Sequence, residues 1–243
     1  MLSVQFSTFA DDAIPEAKKE AKAPHWESSA AAGLTLTRGN SDTLSATATA
    51  TTAKKWDSNE LTFGADGTYG SSKINGVNST TANQIHGYGQ YNRLFNERLY
   101  GYARLDGLHD DIADIRYRAT LSLGAGYYVI KTTNTDLSFE VGPGYVSQKL
   151  GDETKNYMTL RLGEKFHHNL TEHARIWETA ELLPQVDDFK NYIVNFEIGI
   201  ECDLSKSQKL TLRAYLDDTY NNVPALGRKK NDAKLVTAIA YKF

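Results

Sequence analysis

From Trp26 to Phe243 apolar and polar side chains alternate with a period of two. That period belongs to β-strands with one apolar face, and a chain that keeps it over this length is all-β. The clearest stretch is 192–204, where Tyr192, Val194, Phe196, Ile198, Ile200, Cys202 and Leu204 oppose Ile193, Asn195, Glu197, Gly199, Glu201 and Asp203. Residues 115–129 behave likewise, with Ile115, Tyr117, Ala119, Leu121, Leu123, Ala125, Tyr127 and Val129 on one face and Arg116, Arg118, Thr120, Ser122, Gly124 and Gly126 on the other. Weaker copies bring the expected number of strands to about twelve. The segment 174–183 is the least regular, because Trp177, Glu178 and Glu181 interrupt it.

Between the strands, short links at 53–59, 96–98, 131–135, 167–173 and 205–208 alternate with longer polar stretches at 70–82, 106–114, 147–155, 184–190 and 217–231. Outer-membrane barrels have an even strand number, short periplasmic turns and longer external loops, which puts both chain ends in the periplasm. No run of eighteen apolar residues is present, so a helical membrane protein is excluded. A mean hydropathy of -0.49 does not exclude a barrel, because only alternate residues of each strand meet lipid. The net charge of -3 gives no basic field, and no nucleic-acid partner is expected. The single cysteine, Cys202, cannot form an intrachain disulfide and reads as a small hydrophobe in an apolar row.

Alternation alone leaves the direction of the apolar face open: outward to lipid, or inward as in a lipocalin-like soluble ligand-binding barrel or a β-sandwich. Three features favour lipid. The polar rows carry charges of both signs, Arg116, Arg118, Glu140, Glu197, Glu201 and Arg213, which suit a lumen. Tyrosines and phenylalanines gather near strand ends, and the last expected strand runs to Phe243. The expectation is a transmembrane antiparallel up-and-down β-barrel over 26–243. A truncated signal remnant at 1–10 and a flexible periplasmic tail at 11–25 precede it. With both charge signs inside, a plugged lumen or a very narrow pore is expected.

Catalytic signals are absent from the sequence pattern. Membrane-embedded lipid hydrolases place a histidine and a serine two residues apart on one strand. Here the histidines are followed at that spacing by Glu27, Tyr88, Asp111, Asn169, Leu170 and Arg175. Acidic pairs at Asp110-Asp111, beside His109, and at Asp187-Asp188 and Asp217-Asp218 fit solvated loops that bridge divalent ions with lipopolysaccharide; the alternative is an enzyme at the external rim. His167, His168 and His173 fit an exposed turn better than a metal cluster, and no cofactor is expected. Gly64, Gly67 and Gly70 read as strand glycines that ease curvature or close packing.

The ending Ile239-Ala240-Tyr241-Lys242-Phe243 resembles the terminal signature of outer-membrane barrels, in which Tyr241 and Phe243 would be read by the barrel-assembly machinery. The segment from Trp26 to Thr43, the Arg116-Tyr117-Arg118 run into Gly124-Ala125-Gly126-Tyr127, and Glu181-Leu182-Leu183-Pro184 resemble the YdiY-like family of salt-induced outer-membrane proteins. The resemblance implies a non-enzymatic outer-membrane location, lipid and lipopolysaccharide as surroundings and a link to salt or osmotic stress. It supplies no catalytic residue.

Overall fold

The structure is a computed structural model that describes residues 25–38, 43–74, 77–205 and 207–243. The expected signal remnant and all but the last residue of the expected tail lie outside the described residues. Twelve strands follow one another: β1 (Trp26–Arg38), β2 (Thr43–Trp56), β3 (Asn59–Ile74), β4 (Val77–Leu94), β5 (Leu99–Asp110), β6 (Ile115–Lys131), β7 (Thr135–Leu150), β8 (Glu153–Asn169), β9 (Ala174–Pro184), β10 (Tyr192–Asp203), β11 (Leu210–Asn221) and β12 (Asn231–Lys242). Each pairs antiparallel with the next, and β1 closes on β12.

The apolar row points outward. Leu34, Leu121, Leu123, Val141, Ile198, Ile200 and Ile239 are exposed, while their neighbours Thr35, Thr120, Ser122, Glu140 and Glu201 are buried. A soluble barrel or sandwich has the reverse arrangement, because water would otherwise meet a continuous hydrocarbon surface. Trp26, Phe63, Tyr91, Tyr127, Phe139 and Tyr241 ring the outer surface near the rim that carries both described chain ends, here called the near rim. Tyr69, Tyr117 and Tyr145 lie toward the opposite, far rim. Two belts of amphipathic rings flanking an apolar band match the two interfaces of a bilayer. Among the described residues no helix is long and apolar enough to cross a membrane.

Three expectations need correction. Strands extend through much of what reads as polar loop: β7 runs to Leu150 and β8 begins at Glu153, so the stretch 147–155 is a hairpin with Gly151 at φ 57°. The stretches 70–82 and 106–114 are likewise mostly strand. Polar residues on both faces signal a strand that has left the hydrocarbon, not a loop. His167 and His168 also belong to β8 rather than to a turn.

The wall is uneven as a result. β3, β4, β6, β7 and β8 have 16 to 18 residues, whereas β9 to β12 have only 11 or 12. The β8–β9 ladder stops at Leu162–Leu182, with one further bridge at Thr159–Gln185, so the far end of the β7–β8 hairpin stands clear of β9.

The third correction is one of parity. The β6–β7 register shifts between Ile115 and Tyr117, so that Ile115 pairs with Leu150 and Tyr117 with Lys149. One extra residue in a strand flips every side chain beyond it. Ile115 therefore turns inward and is buried, and Arg116, expected in the lumen, is exposed at the bulge.

Candidate functional site

Register sends alternate residues of every strand into the lumen, where polar groups satisfy one another along a strand, between neighbouring strands and across the barrel. Glu140 on β7, 3% exposed, is the hub of the middle layer. Arg161 of β8 donates from Nη1 to its Oε2 at 2.7 Å, and Lys165 Nζ lies 2.9 Å from Oε1. Gln90 of β4 and the Tyr100 hydroxyl of β5 donate to the same Oε1 at 2.8 and 2.9 Å. Arg161 Nε also donates to Glu181 of β9 at 2.5 Å, and Asn195 of β10 donates to the other oxygen of Glu181 at 2.9 Å.

Contacts reach between strands that are not neighbours in the ring. Lys165 Nζ on β8 meets Gln90 Oε1 on β4 at 3.0 Å, with three strands between them. On the other side Lys234 of β12 donates to Gln84 of β4 across β1, β2 and β3. β4 is thus tied by side chains that reach into the lumen to two distant parts of the wall. Arg104 completes the layer, donating to Asp106 and to Gln90 while lying over the Tyr88 ring at 4.3 Å. His86 Nδ1 sits 2.9 Å from Asp66, with Asp106 3.7 Å from Nε2.

A second hub lies nearer the chain ends. Glu201 on β10 takes Arg213 at 2.5 Å, Arg175 at 2.9 Å and Lys242 at 2.7 Å. Glu197, two residues along, receives the indole N–H of Trp177 at 2.5 Å. Trp177 and Glu181, which interrupt the sequence pattern of β9, are therefore lumen residues, and Glu178 lies on the outer face between Phe166 and Ile198.

Of the six charges expected inside, Glu140, Glu197, Glu201, Arg118 and Arg213 face the lumen, and Arg116 does not. They do not form one cluster. Arg213 and Glu201 pair, Glu140 stands in the middle layer, and Arg118 lies toward the far rim, where its Nε donates to Gln148 at 2.7 Å. Strand parity alone assigns Arg161, Lys165, Arg104 and Asp106 to the same face as their counterparts. What the sequence cannot supply is the pairing across the barrel that makes Gln90 and Tyr100 partners of Glu140.

Large rings reach into the lumen by lying on glycines of the adjoining strand. A Cβ added at Gly126 would fall 2.2 Å from the Tyr100 ring, and one at Gly199 would fall 2.3 Å from Trp177. Gly64 makes the same room for Tyr88, the close packing expected of it.

At the far rim His109 is exposed, with Nδ1 2.9 Å from the Arg116 carbonyl and Nε2 3.0 Å from Asp111. Strand parity parts the other histidines: His168 meets Thr135 at 2.8 Å on the outer face, while His167 lies on the lumen face. Among the described residues no three His, Cys, Asp or Glu side chains form a metal-binding group.

A family model described as "Protein of unknown function, DUF481" matches residues 30–243. No curated protein matches the chain. Among solved structures, the NanC porin in a rhombohedral crystal form aligns with a TM-score of 0.57 at 8% identity, over 90% of this chain and all of that one. The KdgM porin in complex with disordered oligogalacturonate aligns with a TM-score of 0.50 at 9% identity, over 88% of this chain and 99% of that one. At such identities the likeness is one of fold: a closed antiparallel barrel of the outer-membrane porin type.

Proposed function

We propose, for a chain that belongs to the DUF481 family, a non-enzymatic barrel of the bacterial outer membrane whose lumen is held nearly closed by its own side chains. It passes small solutes only when those side chains part. The observation that carries this reading is the contrast between the two faces of the wall. Outside lies a mostly hydrocarbon surface; inside, Glu140, Arg161, Lys165 and Gln90 bond from three strands, two of them across the barrel from the third. The alternative is an enzyme at the rim, where His109 lies beside Asp111 and the Arg116 carbonyl.

Lipid and lipopolysaccharide would surround the wall, and the assembly machinery would read the strand that ends in Tyr241 and Phe243. The near rim would then face the periplasm and the far rim the exterior. A part in salt or osmotic stress rests on the YdiY-like resemblance alone.

The test is reconstitution. The protein should fractionate with outer membranes, run as a compact band before boiling and carry only small, infrequent currents in a planar bilayer. Combining Glu140→Gln with Arg161→Gln and Lys165→Gln should raise the current severalfold without loss of folded yield. Recovery in the aqueous fraction without detergent would refute the membrane reading. Unchanged currents in the folded triple variant would refute the network as the barrier.

A further inference from the structure

We propose that segment 222–230, which links β11 to β12, is a lid seated by Ala225 in an apolar socket on the opposite wall, and that it controls entry to the lumen from the far rim. The inference deepens the pore reading and rests on it.

Position in the ring makes the case. β12 and β6 stand six strands apart in a ring of twelve, which is diametrically opposite. Yet Ala225, 6% exposed, is buried against Ile115 at the start of β6 and Leu150 at the end of β7, with Leu108 of β5 and Ala113 beside them. A segment rooted on β11 and β12 reaches those residues only by crossing the mouth.

The socket itself is anomalous in a polar lumen, and the bulge at Arg116 creates it. Without the extra residue Ile115 would face lipid; with it, Ile115 pairs with Leu150 on the inside. Bulges of this kind re-aim a side chain and are features rather than defects. The lid is shaped to match. Ala225 opens a turn closed by Arg228 N–H donating to its carbonyl at 3.0 Å, with Gly227 at φ 79° in the position that needs a left-handed backbone. The next residue, Leu226, is fully exposed.

The apolar hold is small. Ala225 is the one fully buried residue of 222–230, Val223 and Pro224 are half-buried, and the root is polar: Asn222 Nδ2 donates to the Lys190 carbonyl at 2.6 Å, its N–H to the Tyr192 carbonyl at 3.0 Å, and Lys230 Nζ to Asn222 Oδ1 at 2.7 Å. A segment held by so little apolar contact is drawn from the low-stability end of the molecule, as lids are. Beside the seat lies a small recess of about 30 Å³ lined by Asp110, Asp232, Lys234 and Ala113, so that Ala113 belongs to both recess and socket.

The experiment uses the full chain in vesicles with Cys202→Ser as background. Two variants, Ala225→Cys with Leu150→Cys and Ala225→Cys with Ile115→Cys, should form an intramolecular disulfide on mild oxidation, read by mass. Separately, Gln148→Cys lies one inward step below Leu150 on β7 and should react slowly with a membrane-impermeant thiol reagent. Adding Ala225→Asp, which sets a carboxylate in the socket, should speed that labelling at least about tenfold. Absence of the disulfide in both folded pairs, or equal labelling with and without Ala225→Asp, overturns the lid. Neither readout needs a current, so a barrel that never conducts would fail the pore reading and still test the lid.

Discussion

Tyr100 reaches Glu140 by lying flat on Gly126, and the pair shows how little slack the lumen has. Gly126→Ala would push a methyl into the ring, and overpacking of this kind costs roughly 1–3 kcal/mol. Denaturant unfolding of the detergent-folded protein should report that loss. Tyr100→Phe keeps the ring and removes one donor from a buried carboxylate, a cost of about 1–3 kcal/mol by the same assay. Faces can be tested on β6 with one pair of variants. Leu121→Arg places a charge on the outward row near the middle of the strand, where it costs roughly 2–4 kcal/mol at mid-bilayer. Arg118→Ala removes an inward residue that bonds Gln148. Folded yield in vesicles should fall for Leu121→Arg and hold for Arg118→Ala; the reverse pattern would invert inside and outside. Arg116 shows the limit of counting by twos. Its neighbours Tyr117 to Tyr127 keep the expected faces, but a bulge is a fact about two strands together, and nothing in the spacing of one strand announces it.

At the scale of elements, β12 closes the ring by pairing with both β11 and β1, from Leu210–Tyr241 on one side to Ser29–Lys242 on the other. Tyr241 and Phe243 stack on the outer surface with centroids 6.4 Å apart. Phe243→Asp should lower insertion while leaving synthesis unchanged, measured as the ratio of compact to boiled-form band in whole envelopes. Equal insertion would show that the ending carries no signal. The number, type and partners of the strands were legible because each presents hydrocarbon on alternate residues for most of its length. β9 was harder. Trp177 fills lumen space and Glu178 faces outward, so a large ring on the polar row and a carboxylate on the apolar row blur the period. Strand ends beyond the apolar band were illegible for a related reason: once water lies on both sides, alternation has no cause.

For the whole molecule, the middle of the barrel is built of buried pairs and its rims of exposed ones. Buried pairs are screened little by added salt, whereas exposed pairs separated by solvent are screened strongly. The unfolding midpoint should therefore move little between low salt and about 1 M salt, where the Debye length falls to about 3 Å. A large drop would mean that water and ions reach Glu140 and Arg161. The polar lining and the presence of both charge signs were readable in the sequence. From them came the expectation of a plugged or very narrow lumen, but not the individual ties, because those depend on β4 meeting β8 and β12 across the ring, contacts set by how a closed sheet curves.

The unequal height of the wall has a consequence for anything that approaches from outside. In the proposed orientation the far rim is outward, and there the β7–β8 hairpin overtops β9 and ends in a tight turn at Gly151, so what it presents is paired strand rather than loop. An antibody raised against the folded protein would accordingly bind a shape assembled from β6, β7 and β8. Its epitope would vanish on boiling, and overlapping linear peptides from those strands would not compete for it.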